Sequence, residues 1–143
     1  KPDIPQNTAA IIRLGACFKL KIHIIEPCGF DLHDPRFKRV AMDYLGFCKI
    51  FRYKDYDKFI NKNKRKRIVL MTTKAKKNYH RFNFKKNDIL LFGRESAGVP
   101  ESLHKTIKNK LKIPMNKKTR SLNVAISVAI ISAEALRQNN LLK

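Results

Sequence analysis

Acidic residues are scarce in this chain: 11 Asp and Glu stand against 32 Lys and Arg over 143 residues, a formal charge of +21. A codon bias toward Lys, Asn and Ile accounts for many lysines but not for few acids, so the deficit points to a polyanionic partner. Long apolar runs are also missing, and no stretch is long and clean enough to span a bilayer. No basic amphipathic helix stands out, so nucleic acid outranks a membrane as that partner. Cysteine is sparse as well. Cys17, Cys28 and Cys48 contain no CxxC pair and leave an odd count, which argues against a disulfide framework and for three reduced, buried thiols in a cytoplasmic protein. His23, His33, His80 and His104 include no HxxxH pair, so no metal site is expected.

What is present has a globular composition, 43% hydrophobic and 30% charged, and a length that fits one domain over residues 1–143 with its own core. The pattern alternates. Residues 7–18, NTAAIIRLGACF, read as a helix capped by Asn7 or Thr8 after Pro5. KIHII at 21–25 reads as a strand, and a second helix opens at Asp34-Pro35 and runs to about Leu45. FCKIF at 47–51 is another strand, DYDKFINKN at 55–63 a short helix, IVLMTT at 68–73 and ILLFG at 89–93 buried strands. A helix follows Pro100, KLKIPM at 110–115 is a last strand, and residues 121–138 form a long helix apolar on nearly every face. Strands separated by helices imply an α/β fold with a mostly parallel sheet. Such a domain would offer a strand before its first helix, so one is expected upstream of Lys1. The apolar last helix needs cover on both sides, which predicts a dimer.

Three loops carry the polar residues. Residues 5–8, PQNT, lead to Arg13; residues 92–100 read FGRESAGVP; residues 113–123 read IPMNKKTRSLN. Two of them join buried strands to helices, where open α/β sheets bind ligands. Gly93 and Gly98 match neither GxGxxG nor a GK[ST] phosphate loop, and Ser96 lacks a GxSxG setting. Lys117, Lys118 and Arg120 crowd the start of a helix, against its dipole, and an RNA phosphate there would relieve both. Arg13 poses a sharper question. Its helical neighbours at three and four positions, Ala9, Ala10, Ala16 and Cys17, include no acid.

Taken in order and spacing, PQNTAAIIRLGACF, LLFGRESAGVPES and IPMNKKTRSLNVAISVAIISAEALR resemble the three motifs of the SPOUT superfamily of RNA methyltransferases. They look most like the TrmH-type ribose 2'-O-methyltransferases and, within these, the TrmL branch that modifies the wobble nucleotide of tRNA. IHIIEPCGF and RFKRVAMDY are similar to that branch too. The chain departs from it at LNVAIS, residues 122–127, and at Ala133 and Leu136. The resemblance implies a parallel α/β sheet ending in a deep trefoil knot, a homodimer, and S-adenosylmethionine as co-substrate. By the family's pattern, Met71, Thr72, Gly93, Glu95, Gly98, Ile113, Met115, Ser121 and Leu122 would hold the co-substrate.

Methyl transfer from a sulfonium to a ribose hydroxyl is an in-line displacement that needs alignment and proton removal, with no protein nucleophile or metal. The family's motif arginine maps onto Arg13, either as the base, helped by an RNA phosphate, or as an anchor for that phosphate. A structural arginine paired with a distant acid such as Glu95 is the competing view. Ser121 and Asn123 are the other catalytic candidates. Asn7, Arg36, Arg39, Lys117, Lys118 and Arg120 are expected to meet tRNA, with Lys38 and the clusters at 62–67 and 74–77 as further phosphate contacts. The rivals are the same chemistry on ribosomal RNA and a non-catalytic RNA-binding protein on the same scaffold.

Overall fold

Residues 1–142 are described by a computed structural model, without the side chains of Arg36, Val40 and Met42. The chain divides into two compact units, Lys1–Lys64 and Arg65–Lys143.

In the first unit, helix α1 (Pro5–Cys17) starts two residues before the expected Asn7, with Ile4 at the N-cap and no side-chain cap. Proline suits this first position, because it has no N–H to leave unpaired and its φ is already helical. Thr8 sits inside the first turn, and its hydroxyl donates to the Ile4 carbonyl at 3.3 Å. Strand β1 (Lys21–Ile25), helix α2 (Pro35–Leu45), strand β2 (Lys49–Tyr53) and helix α3 (Tyr56–Lys62) follow. The two strands pair in parallel, from Lys21 against Lys49 to Ile25 against Tyr53. β2 begins two residues later than expected. Phe47 closes a turn on the Tyr44 carbonyl at 3.1 Å and is 80% exposed. The core joins Ala9 and Ile12 of α1 to Phe37 and Ala41 of α2, with Cys48 beneath. Asp55 caps α3 by accepting from the Lys58 amide at 2.7 Å, and Phe59 beyond it is buried edge-on to Tyr53.

The cysteines are all free, but only Cys48 is buried, where burial pushes its thiol up. Cys28 is half-buried and Cys17 exposed. Cys17 shares its helical face with Ala10 and Arg13, and that face points outward.

The second unit holds strands β3 (Ile68–Met71), β4 (Lys77–Asn78), β5 (Ile89–Phe92) and β6 (Asn109–Lys112), and helices α4 (Glu101–Thr106) and α5 (Val124–Gln138). The sheet runs β4-β6-β3-β5, with every pair parallel. A mostly parallel sheet with flanking helices is therefore what the alternating pattern encodes. β3 is central, and Val69, Leu70 and the facing Leu111 are fully buried, which is why this strand reads as an unbroken apolar run. Ile131 of α5 packs on Val69, Met71, Phe82, Phe84 and Leu111. The short β4 and the 3-10 turn at Tyr79–Arg81 carry no periodicity that a sequence could display. β6 ends at Lys112 rather than Met115, two residues before Pro114, which has no amide hydrogen to give a ladder. α5 begins at Val124 rather than Ser121, because Asn123 caps it.

Candidate active site and nucleic-acid interface

Parallel pairing sets the carboxyl ends of β3, β5 and β6 side by side: Met71 lies opposite Phe92 on one side and Leu111 on the other. Thr72 extends the ladder by donating its amide to the Leu111 carbonyl at 2.9 Å. Three loops leave this edge, and together with Met71 at the end of β3 they contain every residue expected to hold the co-substrate. In open parallel sheets, ligands bind at this kind of edge.

The loop after β5 is closed by its own backbone. The Arg94 amide donates to the Gly98 carbonyl at 3.0 Å, and the Gly98 amide returns to the Arg94 carbonyl at 2.8 Å. Glu95, Ser96 and Ala97 form the tip. Gly98 has a φ of +66°, and a β-carbon there would meet nothing within 4 Å, so the backbone borders open space. Gly93 is the opposite case, packed on Gly98 so tightly that no β-carbon fits.

The loop after β6 passes from half-buried Ile113 and Met115 into a turn held by Asn116. Asn116 accepts from the Lys118 amide at 3.0 Å, and the Thr119 hydroxyl donates to the Asn116 carbonyl at 2.7 Å. Lys117, Lys118, Arg120, Ser121 and Leu122 are exposed. The Asn123 side-chain oxygen accepts from the amides of Ala125 at 2.8 Å and Ile126 at 3.3 Å. Asn123 thus fixes where the basic loop stops and α5 starts.

Asn7, Arg13, Arg36 and Arg39 belong to the first unit, on α1 and α2. Arg13 lies on the outward face of α1 and makes no ion pair among the described residues. Its guanidinium sits 4.9 Å from the centre of the Tyr44 ring, a cation–π contact of the kind that orders an exposed arginine while leaving its donors available. Nothing in the spacing of the sequence joins Tyr44 to Arg13; only the packing of α1 on α2 does. Arg39 is exposed, and the side chain of Arg36 lies outside the described residues.

One expected phosphate contact, Arg67, has a partner within the fold. Arg67 is bound through its guanidinium: Nε donates to Asp88 Oδ1 at 2.7 Å, and Nη2 donates to Asp88 Oδ2 at 2.6 Å and to the Asn83 carbonyl at 2.8 Å. It also lies 4.9 Å from the Phe82 ring centre. Three of its five donors are engaged within the fold, whereas Lys62, Lys64, Arg65 and Lys66 of the same run are exposed.

Among the described residues, no group of three or more His, Cys, Asp or Glu could hold a metal ion, and no helix is long and apolar enough to cross a membrane.

The chain matches the model of the SpoU rRNA Methylase family over residues 1–133, which includes most of both units. It is 44% identical to a tRNA (cytidine(34)-2'-O)-methyltransferase of Beijerinckia indica over 96% of this chain and 88% of the relative. Among solved structures, one reported under structural insights into the 2-OH methylation of C/U34 on tRNA superposes with a TM-score of 0.93 at 34% identity, covering 97% of this chain and 91% of its own. An AdoMet-bound rRNA methyltransferase from Sinorhizobium meliloti gives 0.86 at 26% identity, over 98% of this chain and 54% of its own.

Proposed function

The chain belongs to the SpoU rRNA methylase family, and on that premise we propose that it is an S-adenosylmethionine-dependent ribose 2'-O-methyltransferase acting on the wobble nucleotide, position 34, of tRNA. The observation that carries this reading is the common carboxyl edge of β3, β5 and β6, from which the glycine-bearing loop and the basic loop both leave. Transfer RNA is favoured over ribosomal RNA because similarity to the tRNA enzyme spans nearly the whole of both chains.

S-adenosylmethionine supplies an electrophilic methyl group on a sulfonium, and the residues at this edge suit it. Gly93 lets the loop close on itself, and Gly98 leaves its backbone bordering open space. Met71, Ile113, Met115 and Leu122 offer apolar contact, while Thr72, Glu95, Ser121 and the loop amides offer polar partners. Arg13 meets the phosphate next to the target ribose and aligns its hydroxyl. A guanidinium gives up its proton with difficulty, and an exposed one stacked on Tyr44 is arranged to bind an anion. Ser121 and Asn123 frame the reacting atoms, Asn123 through its cap on α5. Asn7, Arg36, Arg39, Lys117, Lys118 and Arg120 take the tRNA backbone. The enzyme works as a cytoplasmic homodimer whose C-terminal segment forms a deep trefoil knot within a single methyltransferase domain. The exposure of Leu122 and Ile126, 38% and 53%, at the start of α5 supports the second copy.

Calorimetric titration with S-adenosylmethionine tests this reading against a non-catalytic RNA-binding protein. The enzyme takes up the co-substrate saturably; a chain that binds tRNA and shows no heat with S-adenosylmethionine is a binding protein.

A further inference from the structure

We propose that a lysine-walled groove of the second unit, running from the segment after β3 to the start of β6, binds an extended run of RNA phosphates. It rests on the reading of the chain as a tRNA-modifying enzyme and gives that substrate a second point of contact. The groove has a volume of about 580 Å³ and is formed by three stretches of chain: the segment after β3, helix α4 and the start of β6. Its floor is apolar, with Ala75, Phe82 and Leu111 all buried. Its walls carry Lys74, Lys76, Lys77, Lys105, Lys108 and Lys110 against one carboxylate, Glu101.

Three of the six ammonium groups are occupied. Lys74 pairs with Glu101 at 3.1 Å, Lys110 donates to the His104 carbonyl at 2.6 Å, and Lys77 lies 5.2 Å from the Phe82 ring centre. Lys76, Lys105 and Lys108 are exposed and form no ion pair among the described residues. Gathering like charges around one concavity raises the energy of the folded chain unless an anion shares the space. Folding assembles this cluster from separate segments, so it is not one solvated run of lysines. A single phosphate carries at most about two negative charges, too few for the excess of cations here. A nucleic-acid backbone brings one charge per nucleotide along a path, which suits lysines spread over three segments. One residue separates Thr72, at the carboxyl edge, from Lys74, so the Lys74 end of the groove adjoins the proposed methyl-donor edge.

The test is the salt dependence of tRNA binding in the triple variant K76Q/K105Q/K108Q. Each phosphate contact adds about 0.7 to 0.9 to the slope of log affinity against log salt, so this variant should lose about 2 to 3 from the wild-type slope. Co-substrate binding and thermal unfolding should stay at wild-type values, and K76R/K105R/K108R should keep the wild-type slope. A control triple, K58Q/K85Q/K86Q, neutralises exposed lysines outside the groove and should leave the slope unchanged. The proposal is overturned if the groove triple keeps the wild-type slope, or if the control loses as much, since diffuse charge then explains the binding. A wild-type chain that shows the groove-dependent slope yet methylates no ribose would overturn the catalytic reading and leave the groove standing.

Discussion

Gly93 and Gly98 face each other so closely that a β-carbon on Gly93 would stand 2.5 Å from the Gly98 carbonyl carbon and 2.6 Å from its α-carbon. Both are backbone atoms held by the paired hydrogen bonds between Arg94 and Gly98, so neither yields cheaply. Gly93→Ala should force the loop open and lower S-adenosylmethionine affinity by about tenfold or more, since overpacking costs ~1–3 kcal/mol. Gly98→Ala meets only open space and costs about 1–2 kcal/mol for its left-handed φ. It should keep the loop's shape and retain more affinity. Calorimetry on the two variants reads the order, and a milder effect at Gly93 would contradict this account of the loop.

Arg13→Ala should lower kcat/KM for tRNA methylation by about 10²–10⁴-fold, the range for a group that aligns or deprotonates a reacting hydroxyl. Co-substrate affinity should not change, because the role proposed for Arg13 is on the tRNA phosphate and not on the methyl donor. Tyr44→Leu, which removes the ring beneath the guanidinium, should act more weakly and mainly on KM for tRNA. Steady-state kinetics with tRNA as the varied substrate separates the two.

Asp88 should matter to stability alone. Its side chain is 3% exposed and accepts from Nε and Nη2 of Arg67 as well as from the Lys85 amide at 2.8 Å. Hydrogen bonding to that carboxylate holds the Arg67 guanidinium above its ordinary range. Asp88→Ala would strand a partly buried charge and cost about 2–4 kcal/mol, read as a lower midpoint in urea unfolding.

Glu134 predicts an acid dependence. Hydrogen bonds from Arg137 and then Gln138 draw its carboxyl down to about 2 from an ordinary 4.5. A depressed carboxyl contributes stability that is fully present above the unfolded value, 4.5, and fades as pH falls through the folded one, near 2. The destabilisation of Glu134→Gln relative to the wild type should therefore be constant at neutral pH and shrink between pH 4.5 and 2. Arg137 is 66% exposed, so solvent screening keeps the effect below about 1 kcal/mol. Thermal unfolding of both chains across that range measures it.

Elements whose apolar period is strong were legible from residues alone. KIHII gave β1 to the residue, and Asp34-Pro35 marked the start of α2. Boundaries set by a single backbone detail were not: Pro5 took the first helical position from Asn7, Pro114 followed close on an early end to β6, and Asn123 claimed the cap from Ser121. The glycine loop and basic loop were visible as motifs, because their residues are contiguous. The Arg13–Tyr44 contact, the capture of Arg67 by Asp88 and the groove joining Lys76 to Lys105 and Lys108 were not, because each joins residues that only folding brings together. The burial expected of Cys17 failed for a related reason: apolar neighbours in sequence say little about which helical face turns outward.

The most direct measurement is transfer of a labelled methyl group from S-adenosylmethionine to tRNA by the purified chain, followed by mapping of the labelled nucleotide. The account predicts one methyl group per acceptor tRNA, on the ribose 2'-oxygen of nucleotide 34. Label on a base, on another ribose, on ribosomal RNA alone, or on no RNA at all would contradict it.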